Sequence, residues 1–218
     1  MFNYLATEFV DSFSYFNLFN YITFRTGASI LTSLFFSLIF GEIIIKKLVS
    51  FQPNGQPIRQ DGPENHIIEK AGTPTMGGVL ILSSMTISLF LWSDFSNKFV
   101  WICFITSILF GLIGFFDDYL KLKYQNHKGL KASTKFLYQL LLSLIIVYII
   151  QLLLPESITY TLSFPFFKNL IFDFGLFYFV IGILVIAGSA NAVNLTDGLD
   201  GLAIVPVMIV AMSFAFIA

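Results

Sequence analysis

Phe99-Val100-Trp101-Ile102-Cys103-Phe104-Ile105-Thr106-Ser107-Ile108-Leu109-Phe110-Gly111-Leu112-Ile113-Gly114-Phe115-Phe116 carries no charge, and Asp117-Asp118 follow it directly. A run of this length and polarity is that of a helix crossing a bilayer, which needs about 20 apolar residues. A carboxylate carried into hydrocarbon costs about 2.5–3.5 kcal/mol or more, so two acids at the end of such a run point to a task at the membrane boundary. The basic stretch Tyr119-Leu120-Lys121-Leu122-Lys123 continues into water.

The whole chain agrees with this reading. Of its 218 residues 56% are hydrophobic and only 11% charged, against about 25% charged in a soluble domain. These proportions exclude an ordinary soluble fold and point to an all-α integral membrane protein, a polytopic helical bundle. Six spans are predicted, approximately 27–45, 78–92, 99–116, 136–154, 175–190 and 202–218, within a single membrane domain over 1–218. Long unbroken apolar runs favour helices over barrel strands. Cys103 is the only cysteine, so no disulfide forms within the chain. A net charge of -1 gives no basis for a nucleic-acid partner.

Lysine and arginine set the orientation. Lys46, Lys47, Arg59 and Lys70 fall between spans one and two; Lys121, Lys123, Lys128, Lys131 and Lys135 fall between spans three and four. Only Arg25, Lys98 and Lys168 remain for the other side. The basic loops are therefore expected in the cytoplasm and the N-terminus outside. The aromatic segment Met1–Phe24 reads as an interfacial anchor, and Pro155–Phe174 as an outer loop with a short hairpin. Because the chain stops at Ala218 within an apolar run, a continuation is expected.

Three polar segments then share the cytoplasmic side. The first is Lys70-Ala71-Gly72-Thr73-Pro74-Thr75-Met76-Gly77-Gly78. Pro74 restricts Thr73 to extended geometry and the glycines allow close backbone approach, so Lys70 and the hydroxyls can face a phosphate or carbonyl. An ordinary loop entering a tightly packed helix fits the same residues. The second is the Asp117-Asp118 pair. Neighbouring helical positions diverge by about 100°, so the two should have separate tasks, one at a hydrated magnesium ion and one at a nucleophile. A merely wet helix end is the plainer alternative.

The third segment is Asn191-Ala192-Val193-Asn194-Leu195-Thr196-Asp197-Gly198-Leu199-Asp200-Gly201. Its polar residues recur every three positions, slipping about 60° per step around a helix. Asn191 and Asp200 therefore cannot meet one ligand from a straight helix, and Gly198 and Gly201 argue for a break. Broken backbone at membrane depth is tolerated only when buried or lining a wet cavity. A polar turn between spans is again the plain alternative. Among other charges, Glu42 and Lys46 read as a helix ion pair, and the loop lysines as topology and headgroup contacts first, with one or two able to contact a diphosphate.

Taken together, the 70–78 segment, the acidic pair and the 191–201 segment resemble the phospho-N-acetylmuramoyl-pentapeptide-transferases, within the wider polyprenyl-phosphate N-acetylhexosamine-1-phosphate transferases. The resemblance implies a Mg2+-dependent enzyme of the bacterial inner membrane, multi-pass, with a cytoplasmic active face. Undecaprenyl phosphate would attack the sugar-linked phosphate of UDP-N-acetylmuramoyl-pentapeptide, giving lipid I for the cell wall and UMP. By the same resemblance Asp117 and Asp118 are catalytic. Lys70, Thr75, Asn191, Asn194, Asp197, Gly198 and Asp200 would bind the nucleotide substrate, and Asp118 and Asn194 the metal. Family members have about ten spans, with a further metal-binding aspartate and a histidine-rich loop in the later half. The resemblance thus implies an N-terminal part that is inactive alone; a homodimer is one arrangement it admits. Competing readings are a sister transferase using another UDP-N-acetylhexosamine, a non-catalytic or split-enzyme half, and a transporter with intramembrane carboxylates.

Overall fold

A computed structural model describes all residues except 1, 10–12, 54, 56, 58–71, 126–128, 165–166, 168–169, 197–201 and 218. The protein is mostly helical and divides into two compact units, Met1–Lys135 and Phe136–Ala218.

The first unit opens with α1 (Phe2–Phe9) and a 3-10 helix (Ser14–Asn20), followed by α2 (Ile22–Phe51), α3 (Gly78–Trp92) and α4 (Lys98–Tyr124). Pro53 stands just past the end of α2, where a residue lacking an N–H cannot extend the helix. Asn97 caps α4, its side chain accepting from the Phe99 N–H at 2.9 Å. Helices α2 and α3 are laced by polar side chains. The Ser88 hydroxyl donates to the Ser29 carbonyl at 2.7 Å. Its single proton is thereby used, so Ser29 Oγ donates to Ser88 Oγ across 2.6 Å. Trp92 Nε1 donates to Thr32 Oγ1 at 2.9 Å. Between apolar helices in lipid, such bonds contribute on average about 0.6 kcal/mol each. Phe2, Phe19 and Phe24 surround the Trp92 ring with centroids 4.6, 5.9 and 6.1 Å away, which fastens the aromatic N-terminal segment to the end of α3.

The second unit contains most of α5 (Ala132–Leu153), the antiparallel hairpin β1 (Thr161–Ser163) and β2 (Ile171–Asp173), α6 (Phe177–Thr196) and α7 (Ile204–Ile217). The hairpin pairs Thr161 with Asp173, Leu162 with Phe172 and Ser163 with Ile171, as the outer-loop reading expects. Along α5 the buried residues Gln139, Ser143, Val147 and Gln151 recur every four positions and form one inward stripe. Asn191 of α6 donates to Gln139 Oε1 at 2.7 Å, and Gln151 Oε1 accepts from the Tyr160 N–H at 2.9 Å. The two helices come close where a Cβ at Gly182 would lie 2.7 Å from Val147 Cγ2.

The polarity of this arrangement is inverted relative to a soluble protein. The buried residues include Ser84, Ser88, Asp117, Gln139, Ser143 and Gln151, while large apolar side chains from every helix are exposed. In each unit most of these polar groups are paired, Gln151 Nε2 being an exception, and apolar side chains face outward, as a lipid solvent requires. Among the described residues four helices, α2, α4, α5 and α6, are long and apolar enough to cross a membrane. Helices α3 and α7 are apolar but have only 15 and 14 residues. At about 1.5 Å per residue that falls short of a hydrocarbon core about 30 Å thick.

Candidate functional site

The acidic pair lies near the C-terminal end of α4, and its two side chains diverge. Asp117 is buried, with 7% of its surface exposed. Its Oδ1 accepts from the Leu130 N–H at 2.8 Å. Its Oδ2 is 2.9 Å from Lys121 Nζ and 3.4 Å from Lys135 Nζ. Asp118 is more open and turns toward the loop before α3. There Thr75 Oγ1 donates to Asp118 Oδ2 at 2.7 Å, and Lys121 Nζ donates to Asp118 Oδ1 at 3.0 Å. The backbone separates the two carboxylates as helical geometry requires, yet the long Lys121 side chain, three and four positions on, reaches both.

The α4–α5 connection closes against Asp117. Gly129 has φ +56°, and a Cβ there would collide with Asp117 Oδ1 and come within 2.9 Å of Lys121 Cε. Glycine is thus required both for the left-handed backbone and for room beside the carboxylate. This turn aims the Leu130 N–H at Asp117.

Two carboxylates and two ammoniums balance in charge. An incoming diphosphate would gain attraction only by drawing a lysine away from its carboxylate or by arriving with a cation. A carboxylate offers about four lone-pair positions. Asp117 has three donors around it and Asp118 has two. Asp118, also the less buried, is the better placed to give an oxygen to a magnesium ion, which takes one or two carboxylates together with phosphates and water. Among the described residues no group of three His, Cys, Asp or Glu side chains comes together. Of the two described acids, Asp118 is the one with more lone pairs left for a cation.

Of the residues expected at the site, the structure brings together Thr75, Asp117 and Asp118. Asn191 and Asn194 lie on α6 in the other unit. Asn191 directs its amide to Gln139 Oε1 and the Ala187 carbonyl, both at 2.7 Å, and Asn194 is exposed. Lys70, Asp197, Gly198 and Asp200 lie outside the described residues. Sequence reading did not single out Lys121 and Lys135 as site residues. The spacing of Lys121 from Asp117 and Asp118 was a usable signal. Nothing in the spacing of Lys135 pointed to Asp117.

The glycosyl transferase family 4 model matches residues 100–218. The phospho-N-acetylmuramoyl-pentapeptide-transferase signature 1 matches residues 70–82. The Thr75–Asp118 hydrogen bond therefore joins the two matched segments. Over 202 residues the chain is 53% identical to the phospho-N-acetylmuramoyl-pentapeptide-transferases of Rickettsia prowazekii (strain Madrid E) and Rickettsia felis (strain ATCC VR-1525 / URRWXCal2). It is 52% identical to that of Rickettsia akari (strain Hartford). Each match covers 93% of this chain and 55% of the relative, so the chain spans about half the length of the curated relatives it matches.

Proposed function

Because this chain belongs to glycosyl transferase family 4, we propose that it works in the transfer of phospho-N-acetylmuramoyl-pentapeptide from UDP to undecaprenyl phosphate. The products are lipid I and UMP. The observation that carries the proposal is the cluster of Thr75, Asp117, Asp118, Lys121 and Lys135, which ties the 70–82 signature to the family segment through the 2.7 Å Thr75–Asp118 bond.

The chemistry asks more for charge management than for proton transfer. A phosphate monoester loses its second proton at a pKa of about 6, so the lipid phosphate is largely dianionic at neutral pH. One of its oxygens forms a bond to the sugar-linked phosphorus while that phosphorus releases the UMP oxygen. Catalysis of such a displacement is mostly positioning and electrostatic stabilisation. Asp117, held by three donors in a buried site, is suited to orienting Lys121 and Lys135 toward phosphate oxygens rather than to taking a proton. Its enclosure also disfavours a covalent aspartyl intermediate. Asp118, with lone pairs to spare, would hold Mg2+, which when bound offsets the charge of the diphosphate. Lys70, Asn191, Asn194, Asp197, Gly198 and Asp200 are the proposed nucleotide contacts, as the resemblance implies, and Thr75, which it implies beside them, bonds Asp118 at 2.7 Å.

The membrane arrangement belongs to the same proposal. It takes six spans, the short helices α3 and α7 included, with the N-terminus outside and the acidic pair at the cytoplasmic face of a bacterial inner membrane. The asymmetry of lysine and arginine supports this orientation.

The test is UMP release by membranes carrying this chain fused to the part of the R. prowazekii relative that it does not span. The proposal expects Mg2+-dependent UMP release with undecaprenyl phosphate and UDP-N-acetylmuramoyl-pentapeptide. It expects none with UDP-N-acetylglucosamine, which separates this reading from a sister transferase. Solute flux without UMP release would instead favour a transporter.

A further inference from the structure

Gln52, which no sequence motif marks, holds the Thr75 peptide on both sides. Its side chain is buried, 5% exposed. The Gln52 amide Oε1 accepts from the Thr75 N–H at 2.8 Å, and Nε2 donates to the Thr75 carbonyl at 3.2 Å. Among side chains only a carboxamide both donates and accepts in this way, reproducing the pairing of a neighbouring strand. Its own backbone is fixed as well. The Gln52 N–H donates to Val49 O at 3.1 Å and the Gly55 N–H to Gln52 O at 2.8 Å. Gly55, with φ +65°, then lies flat against Gly72, where a Cβ would come within 2.7 Å of backbone atoms.

The held segment is not in a relaxed conformation. Met76, next to Thr75, has φ +69°. An unbranched but bulky side chain adopts that region only when surrounding contacts impose it. The Gln52 clamp and the hydroxyl bond to Asp118 both act on Thr75, the residue directly before Met76.

From this geometry we infer that Gln52 is a positioning residue for the acidic site, acting through Thr75 on Asp118. The end of α2 supplies the clamp, the loop before α3 relays it, and α4 receives it. The inference rests on the proposed transferase reading for its kinetic consequence, though not for the clamp itself. A displacement of about 1 Å at a reacting group can cost 100-fold in rate, so a residue with no substrate contact can still govern turnover.

The test is Gln52→Met, which removes both hydrogen bonds at similar volume, examined in two ways. Amide hydrogen exchange of the 218-residue chain in detergent should quicken at least tenfold at Thr75 and stay unchanged within α3 and α4. In the fused enzyme, kcat should fall at least tenfold while KM for the nucleotide substrate changes less than threefold. Gln52→Met combined with Thr75→Val should be no more than threefold slower than the slower single variant, because both act along one path. Unchanged exchange at Thr75, or effects that multiply in the double variant, would overturn the inference. If the Met variant does not fold, Gln52→Asn, which keeps the amide but is one methylene short, is read by the same criteria. A fused wild-type enzyme that releases no UMP would remove the transferase reading, and the exchange result would still decide the clamp.

Discussion

Thr75 and Asp118, 43 positions apart, meet in a 2.7 Å hydrogen bond from the threonine hydroxyl to the carboxylate. The bond fixes the direction of the acid in the pair that keeps more capacity for another ligand.

Removing that hydroxyl should weaken catalysis without unfolding the protein. A hydrogen bond to a charged group contributes about 1.5–3 kcal/mol. If that contribution is realised in the transition state, Thr75→Val in the fused enzyme should lose about tenfold or more in kcat, at about 1.4 kcal/mol per tenfold. Thr75→Ser, which keeps the hydroxyl, should remain within threefold of wild type. Steady-state UMP release measures both.

Lys121 is the shared cation of the pair, 2.9 Å from Asp117 and 3.0 Å from Asp118. Its loss leaves a buried carboxylate with only Lys135 at 3.4 Å and one backbone donor. Breaking a buried pair costs about 3–5 kcal/mol; solvent reaching the partly open Lys121 should reduce that to about 1–3 kcal/mol. Lys121→Met should lower thermal stability in detergent accordingly, and adding Asp117→Asn should recover part of the loss. A double variant as unstable as the sum of its parts would show that the pair is not coupled.

Gly129 separates two kinds of strain. Its φ of +56° alone would cost alanine about 1–2 kcal/mol, and asparagine less. The collision with Asp117 Oδ1, however, applies to any Cβ. Gly129→Ala and Gly129→Asn should therefore both displace Asp117 and abolish most UMP release. Activity retained by the asparagine variant would mean that backbone conformation, not room beside Asp117, is the requirement.

Much of this architecture was legible from the chain. The charge-free run ending at Phe116 marks α4, and the Pro155–Phe174 alternation marks the hairpin. The Glu42–Lys46 pair forms as its spacing implies, at 2.6 Å on an exposed surface. Less could be read of how the site is held. Hydrophobic periodicity says little when every helix faces lipid, so the inward stripe of Gln139, Ser143 and Gln151 was not apparent. The Gln52 clamp and the Lys135–Asp117 contact join distant positions through loop geometry, which no local pattern encodes. That Asp117 and Asp118 have separate tasks follows from helical divergence, and the structure adds what each side chain touches.

The account stands most directly on the carboxylate of Asp118. The decisive measurement is Mg2+-dependent UMP release by the fused enzyme carrying Asp118→Asn, an isosteric change that keeps a partner for Thr75 but removes the charge. The account predicts a loss of at least 100-fold in kcat at every magnesium concentration tested. Wild-type turnover in that variant, with an unchanged magnesium dependence, would contradict it.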